Sequence, residues 1–170
     1  MESATEPDSL AITSKKLLVG RYWKKILGHM ADSIVVYDVA GSILYANEMA
    51  SQDLRYASVS QLLNQTIQDI RERFLLMDEA GCALEVADLP NRRALREKGL
   101  AQAAIHFVTP SGSEDFWLEI RSFAVVNRHN EAKFVVSTYH DISAFKQAED
   151  HINDTNRRIA GILDGLLKLD

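Results

Sequence analysis

Apolar positions in this chain change their period from segment to segment, and each change marks an element. Between Lys15 and Ala31, Leu18, Tyr22, Ile26 and Met30 recur every four residues, with Val19, Trp23 and Leu27 beside them. That spacing puts an apolar stripe on one face of a helix, with the lysines largely opposite. From Ser33 to Asp38 the run SIVVYD is rich in β-branched side chains, and a second run, Ile43 to Ala46, follows Val39-Ala40-Gly41-Ser42. Two short runs around a glycine-containing turn predict a β-hairpin. Asn47 then stands as N-cap of a short helix beginning at Glu48. Leu62, Leu63, Ile67 and Ile70 fit further short helices.

Phe74 to Asp78 reads as a short strand or extended run ahead of Glu79-Ala80-Gly81. Asp88-Leu89-Pro90 opens a helix with proline early, and Gly99 closes it. The charged sequence of that helix, NRRALREK, predicts an exposed cover, not a core element. Three long strands follow, Ala101 to Thr109, Asp115 to Val126 and Ala132 to Ile142. They are separated by Pro110-Ser111-Gly112-Ser113 and Asn127-Arg128-His129-Asn130. Loops of this kind between apolar runs indicate antiparallel pairing. Strands interrupted by a block of small helices predict an α+β domain on one antiparallel sheet.

From Ser143 onward helical spacing returns. Phe145, Ala148, Ile152, Thr155, Ile159, Ile162, Leu166 and Leu169 alternate steps of three and four, which is an a/d heptad seam. Thr155, Gly161 and Gly165 make it imperfect. The segment DSIVVYD at 32–38 also overlies DGLLKLD at 164–170. Residues 164–170 are therefore either the end of the helix or the first strand of a second, similar domain. The organisation read from these patterns is a disordered tail over 1–14, a flanking helix over 15–31, a domain over 32–142 and a linker helix over 143–163.

Composition narrows the class. A hydrophobic content of 46% is that of a globular protein. Nineteen basic against 24 acidic residues, a net charge of −5, argues against a nucleic-acid partner. Cys82 is the only cysteine, so no intrachain disulfide is expected and a reducing, cytoplasmic compartment is the expectation. The apolar runs fall far short of the ~20 residues that span a bilayer. Residues 1–14 carry Glu2, Glu6 and Asp8 and no Lys or Arg, the wrong sign for a secretory signal.

The sequence holds no phosphate-binding glycine loop, no His-Glu-x-x-His, no paired Cys-x-x-Cys and no acidic calcium loop. His140 and Asp141 are neighbours on a strand, point to opposite faces and cannot serve one metal. His151 lacks the proline-containing context of kinase phosphoacceptors and reads as a solvated helix histidine. No catalytic residue and no metal ligand is expected.

Three segments, ADSIVVYDVAGSILYANEMA, FLLMDEAGCALEVADLPNRRALREKG and FWLEIRSFAVVNRHNEAKFVVSTYHDISAFKQAE, together resemble a PAS domain, a small sensor module of bacterial signalling proteins. The resemblance covers about Ile26 to Glu149. Asp141-Ile142-Ser143 stands where the family has Asp-Ile-Thr, followed by Lys146 and Ala148-Glu149. The resemblance implies a five-stranded antiparallel sheet with short helices on one face, forming a pocket. It implies regulation without catalysis, any kinase, cyclase or phosphodiesterase activity lying in an attached output domain beyond residue 170. It also implies a homodimer through the flanking helices.

On this reading Asp141, Ile142 and Ser143 relay the signal, with Ser143 as N-cap of the outgoing helix. The alternative is a ligand-free dimerisation or interaction module. His106, Phe107, Trp117 and Tyr139 are the pocket candidates, with small Ala101, Ala103 and Ala104 beside them. A core simply filled by these side chains and a bound small molecule both stay open, as does the choice of sheet face. Cys82 follows Gly81 in a turn, outside the helical Asn-Cys-Arg context of the family's flavin photosensors, so a flavin photoadduct is not expected. The helix from Leu89 to Lys98 has no histidine, so haem is not expected. Trp117 and Phe123 need cover on the second face, from the N-terminal helix or a partner subunit. The acidic tail argues against membrane contact by that basic helix.

Overall fold

Strands β1 (Ser33–Asp38), β2 (Ile43–Ala46), β3 (Leu75–Met77), β4 (Leu100–Val108), β5 (Asp115–Val126) and β6 (Ala132–Asp141) form one antiparallel sheet in the order β2-β1-β6-β5-β4-β3. The computed structural model describes residues 22–167. The helices are α1 (22–28), α2 (Glu48–Asp53), α3 (Val59–Leu63), α4 (Ile67–Arg73), α5 (Pro90–Glu97) and α6 (Ser143–Leu167). The expected tail over 1–14 and the start of the flanking helix lie outside the described residues. The sheet has six strands, not five. The sixth is the three-residue β3, which adds to the free edge of β4 through Leu76 opposite Phe107.

Alternation on β5 sorts the two faces. Phe116, Leu118, Ile120 and Ser122 are buried, whereas Trp117, Glu119, Arg121 and Phe123 are half-buried or exposed. The first set faces the helices. It joins Val35 and Tyr37 of β1, Ile105 and Phe107 of β4 and Val135 and Tyr139 of β6 in one core. Phe74, entering β3, packs edge-on against Phe107 and Phe116, with ring centroids 5.8 and 5.4 Å away. Full burial of side chains of this size contributes about 1.5–3 kcal/mol each.

The charged helix α5 is part of that core. Pro90 and Ala94 are buried, and the small Ala94 lets the helix approach β4 and β5. Its arginines lie along the rim: Arg96 donates to the Ala87 carbonyl and Arg92 to the Ala40 carbonyl. The expectation of a mere cover is corrected, because one buried stripe suffices when its contact residue is alanine. Lys98, at φ 52, takes the left-handed position that ends α5. Gly99 follows and donates its N–H to Ala94 O.

Asn47 does more than cap α2. Its Oδ1 accepts from Ala50 N–H and Ile34 N–H, and its Nδ2 donates to the carbonyls of Leu27 and Asp32. One buried amide thus joins α1, β1 and α2. Trp23 of α1 meets Tyr45 of β2 edge-on at 5.1 Å. This seats α1 at the β2 edge, so residues 22–28 do not supply the cover for Trp117 and Phe123 that was expected from the N-terminal helix or a partner subunit. Tyr22, Ile26 and Met30 stay exposed.

The turn between β1 and β2 is closed by the Asp38 carboxylate, which accepts from Gly41 and Ser42 N–H. Gly41 has φ +100, and a Cβ there would overlap the Arg92 guanidinium. Gly41→Ala is expected to destabilise the chain by about 1–3 kcal/mol, through left-handed strain and displacement of Arg92. Urea unfolding measures this, and an unchanged midpoint at equal slope contradicts it.

Candidate functional site

A cavity of about 50 Å³ lies between the sheet and the helices. Its inner wall is Tyr37, Ile43, Phe107, Ile120 and Tyr139 from the sheet, with Leu76 and Leu89. Its half-buried lining residues, Gly41, Gln65, Asn91 and Arg92, mark the side toward solvent. Of the four sequence candidates, Phe107 and Tyr139 line the cavity. His106 and Trp117 do not, because alternation turns them to the other face. There they stack in parallel at 4.4 Å, with His106 Nε2 2.9 Å from Asp115 Oδ2. Tyr37 and Arg92 were missed. The signal for Tyr37 was its place on one strand face with Ser33 and Val35, since a buried tyrosine hydroxyl needs a partner.

That partner is Tyr139. The two hydroxyls share a hydrogen bond inside the core. Ser122 and Ser137, also buried, pair through their hydroxyls at 2.7 Å on the same face. Burial pushes Tyr37 up to about 12, only partly offset by its bond to Tyr139, and burial together with the neighbouring Tyr37 pushes Tyr139 well above the usual phenol range. Both therefore remain neutral hydrogen-bonding groups across the working pH range. The folded state holds these protons at a pH where the unfolded chain has released them. Stability is thus fully present below about pH 10 and is lost as pH rises toward 12. In an alkaline absorbance titration of the five tyrosines, Tyr37 and Tyr139 are expected to ionise last, together with unfolding. Early ionisation of all five in a folded chain contradicts the buried pair.

The second feature is the junction between β6 and α6. Asp141 Oδ1 accepts Ser143 N–H at 2.9 Å, and Asp141 Oδ2 accepts from the Arg55 guanidinium at 2.8 Å. Ser143 Oγ accepts Trp117 N–H of β5 at 3.0 Å, while Ile142 N–H donates to Trp117 O. Ser143 is therefore not the N-cap. It is the first helical residue, and its hydroxyl turns sideways to the neighbouring strand. Ile142 supplies the carbonyl that Lys146 N–H reaches. Burial opposes the charged form of Asp141, but the bonds from Ser143 and the Arg55 guanidinium outweigh it, holding the carboxyl below its usual range.

Arg55, at φ 59 just beyond α2, lies over the Phe116 ring at 5.0 Å, and its carbonyl accepts from Arg73 of α4. The junction is thus wired to the helical layer around the cavity. Lys146 adds a further tie, bonding Glu79 beyond β3 and lying 5.2 Å from the Trp117 ring. Cys82 is exposed in that same turn.

Beyond Lys146, every residue of α6 through Ile162 is exposed. Phe145, Ile152, Ile159 and Ile162 are 51–66% exposed along one stripe. Thr155, in the same seam, donates its hydroxyl to the His151 carbonyl, so it presents its methyl without an unpaired donor. Residues 164–167 continue the helix, and 168–170, including Leu169, lie outside the described residues. Among the described residues no group of three His, Cys, Asp or Glu side chains is placed to hold a metal, and no helix is long and apolar enough to cross a membrane.

An antiparallel sheet in this order, with helices and a small cavity on one face and a helix leaving its last strand, defines a particular class of α+β domain. The family model for the PAS domain matches residues 31–144. The chain belongs to the PAS domain family. No curated protein sequence matches it. Among solved structures, a PAS domain from Colwellia psychrerythraea superimposes with a TM-score of 0.55 at 18% identity, over 74% of this chain and 98% of that one. A PAS domain from a two-component sensor histidine kinase gives 0.51 at 17%, over 74% and 98%. An RNA-binding light-oxygen-voltage receptor gives 0.61 at 16% over 92% of this chain, which spans 40% of that receptor. At these identities the likeness shows the fold alone.

Proposed function

We propose that this chain is a sensory module of a signal-transduction protein, relaying a change around its inner cavity through α6 to an output domain attached beyond residue 170. The observation that carries the reading is Asp141. One carboxylate holds both the start of α6, through Ser143 N–H, and the helical layer, through Arg55. A shift of α2 or α4 therefore loads the same group that fixes the helix start. Small displacements at such a junction select between discrete packings of a paired helix. Membership of the PAS family and the sensor-kinase origin of one solved relative support this role.

The chain acts as a cytoplasmic homodimer through α6, and catalysis belongs to the attached domain. The test is Asp141→Ala in the protein joined to its output. The domain stays folded and the output stops responding. An unaltered response overturns the relay. A second reading, a ligand-free dimerisation module, is favoured by the exposed α6 stripe. Mass spectrometry of the purified chain separates the two, since a co-purifying small molecule excludes the ligand-free reading.

A further inference from the structure

The sensory reading leaves the chemistry of the signal unnamed, and the polar groups around the cavity narrow it. Arg92 is half-buried on the cavity wall, and among the described residues no carboxylate lies within ion-pair distance of it. It sits in the first turn of α5, beside Asn91. Positive charge therefore stands at one end of the cavity. Arg92 also lies close enough to Tyr37 for its charge to act on that hydroxyl. The two tyrosine hydroxyls share one bond, which uses one of their two hydrogens. The other can donate into the cavity. The inner wall of Phe107, Ile120 and Leu76 is apolar, with Gln65 and Asn91 at the solvent side.

We propose that the cavity binds a short-chain monocarboxylate, its carboxylate held between Arg92 and the Tyr37 hydroxyl and its alkyl end against Phe107 and Ile120. A volume of 50 Å³ takes the place of about three to five waters, so the ligand carries about as many non-hydrogen atoms. Anion binding recruits Arg92 from the Ala40 carbonyl that it now bonds, which frees the turn between β1 and β2. This deepens the sensory reading and rests on the cavity being its input.

The test is a titration of the full chain with propanoate and, separately, with its uncharged isostere propanamide, followed by backbone amide NMR. Propanoate is expected to shift resonances of Tyr37, Arg92 and Phe107 saturably. Propanamide is expected to bind at least about tenfold more weakly, the loss of a charge-assisted contact. Arg92→Gln removes the difference between the two, and Tyr37→Phe weakens propanoate while the dispersed spectrum of a folded chain is kept. Equal binding of both compounds, shifts confined to other surfaces, or no saturable shift overturns the assignment. Each of those results leaves the relay standing, because the Asp141→Ala experiment reads the junction and not the cavity.

Discussion

Replacing Ile152 and Ile159 together with glutamate is expected to convert the chain from a dimer to a monomer in light scattering, with the sheet unchanged. In the described chain, α6 touches the domain only through its first turn, and both isoleucines are more than half exposed. Helical stability in proteins comes mostly from packing an apolar face, and beyond that turn this stripe meets no other element of the described chain. The heptad spacing supplies the seam for a second copy. Two substitutions remove four buried isoleucines from the pair. Each is worth about 1.5–3 kcal/mol when fully buried, so even half that sum raises the dissociation constant by about a hundredfold or more. Glutamates placed face to face weaken the pair further. A wild-type chain that is monomeric at all concentrations, or a double variant of unchanged size, rules out the seam.

Asp141→Ala is expected to speed hydrogen exchange in the first turn of α6 by about five- to thirtyfold while the amides of β4–β6 remain protected. That factor corresponds to a loss of about 1–2 kcal/mol. A capping-type bond to Ser143 N–H contributes about 1 kcal/mol, and a partly exposed ion pair to Arg55 up to about 1 more. The pH dependence has a definite sign. The folded-state pKa of Asp141 is depressed. Its contribution is therefore present above about pH 4 and is lost as pH falls through the folded value. The wild-type junction should loosen on acidification in that window, and Asp141→Asn should lose the pH response. Uniform acceleration across the sheet would mean that Asp141 supports the whole fold and not the junction.

The strands and caps were legible because their signals are local. SIVVYD, ILYA and the three long runs carry β-branched and aromatic alternation, and the chain places strands on all of them. Asn47 reads as an N-cap from its position alone, and Gly81 and Gly112 occupy the left-handed turns that their neighbours require. The site was legible only in part. Strand alternation separates His106 from Phe107 and Trp117 from Phe116, but it does not say which set looks inward. That choice depends on where the helices pack, and α5, charged on most of its surface, gave no sign that Ala94 would seat it on the sheet.

Ser143 shows the same limit. A hydroxyl at a strand-to-helix junction is a sound N-cap by local rules, yet β5 runs close enough to capture it through Trp117 N–H. Arg55 carried no local signal, being a polar residue in a polar stretch. Its role comes from meeting Asp141 from 86 residues away.

The sequence by itself determined the elements, their antiparallel class and the amphipathic stripe of α6, because propensity, turn chemistry and periodicity act over a few neighbouring residues. Only the tertiary structure decided the inward face, the Tyr37–Tyr139 pair, the cavity end formed by Arg92 and the bond from Arg55 to Asp141. Those depend on which distant surfaces exclude water together, and no window of the chain contains both partners.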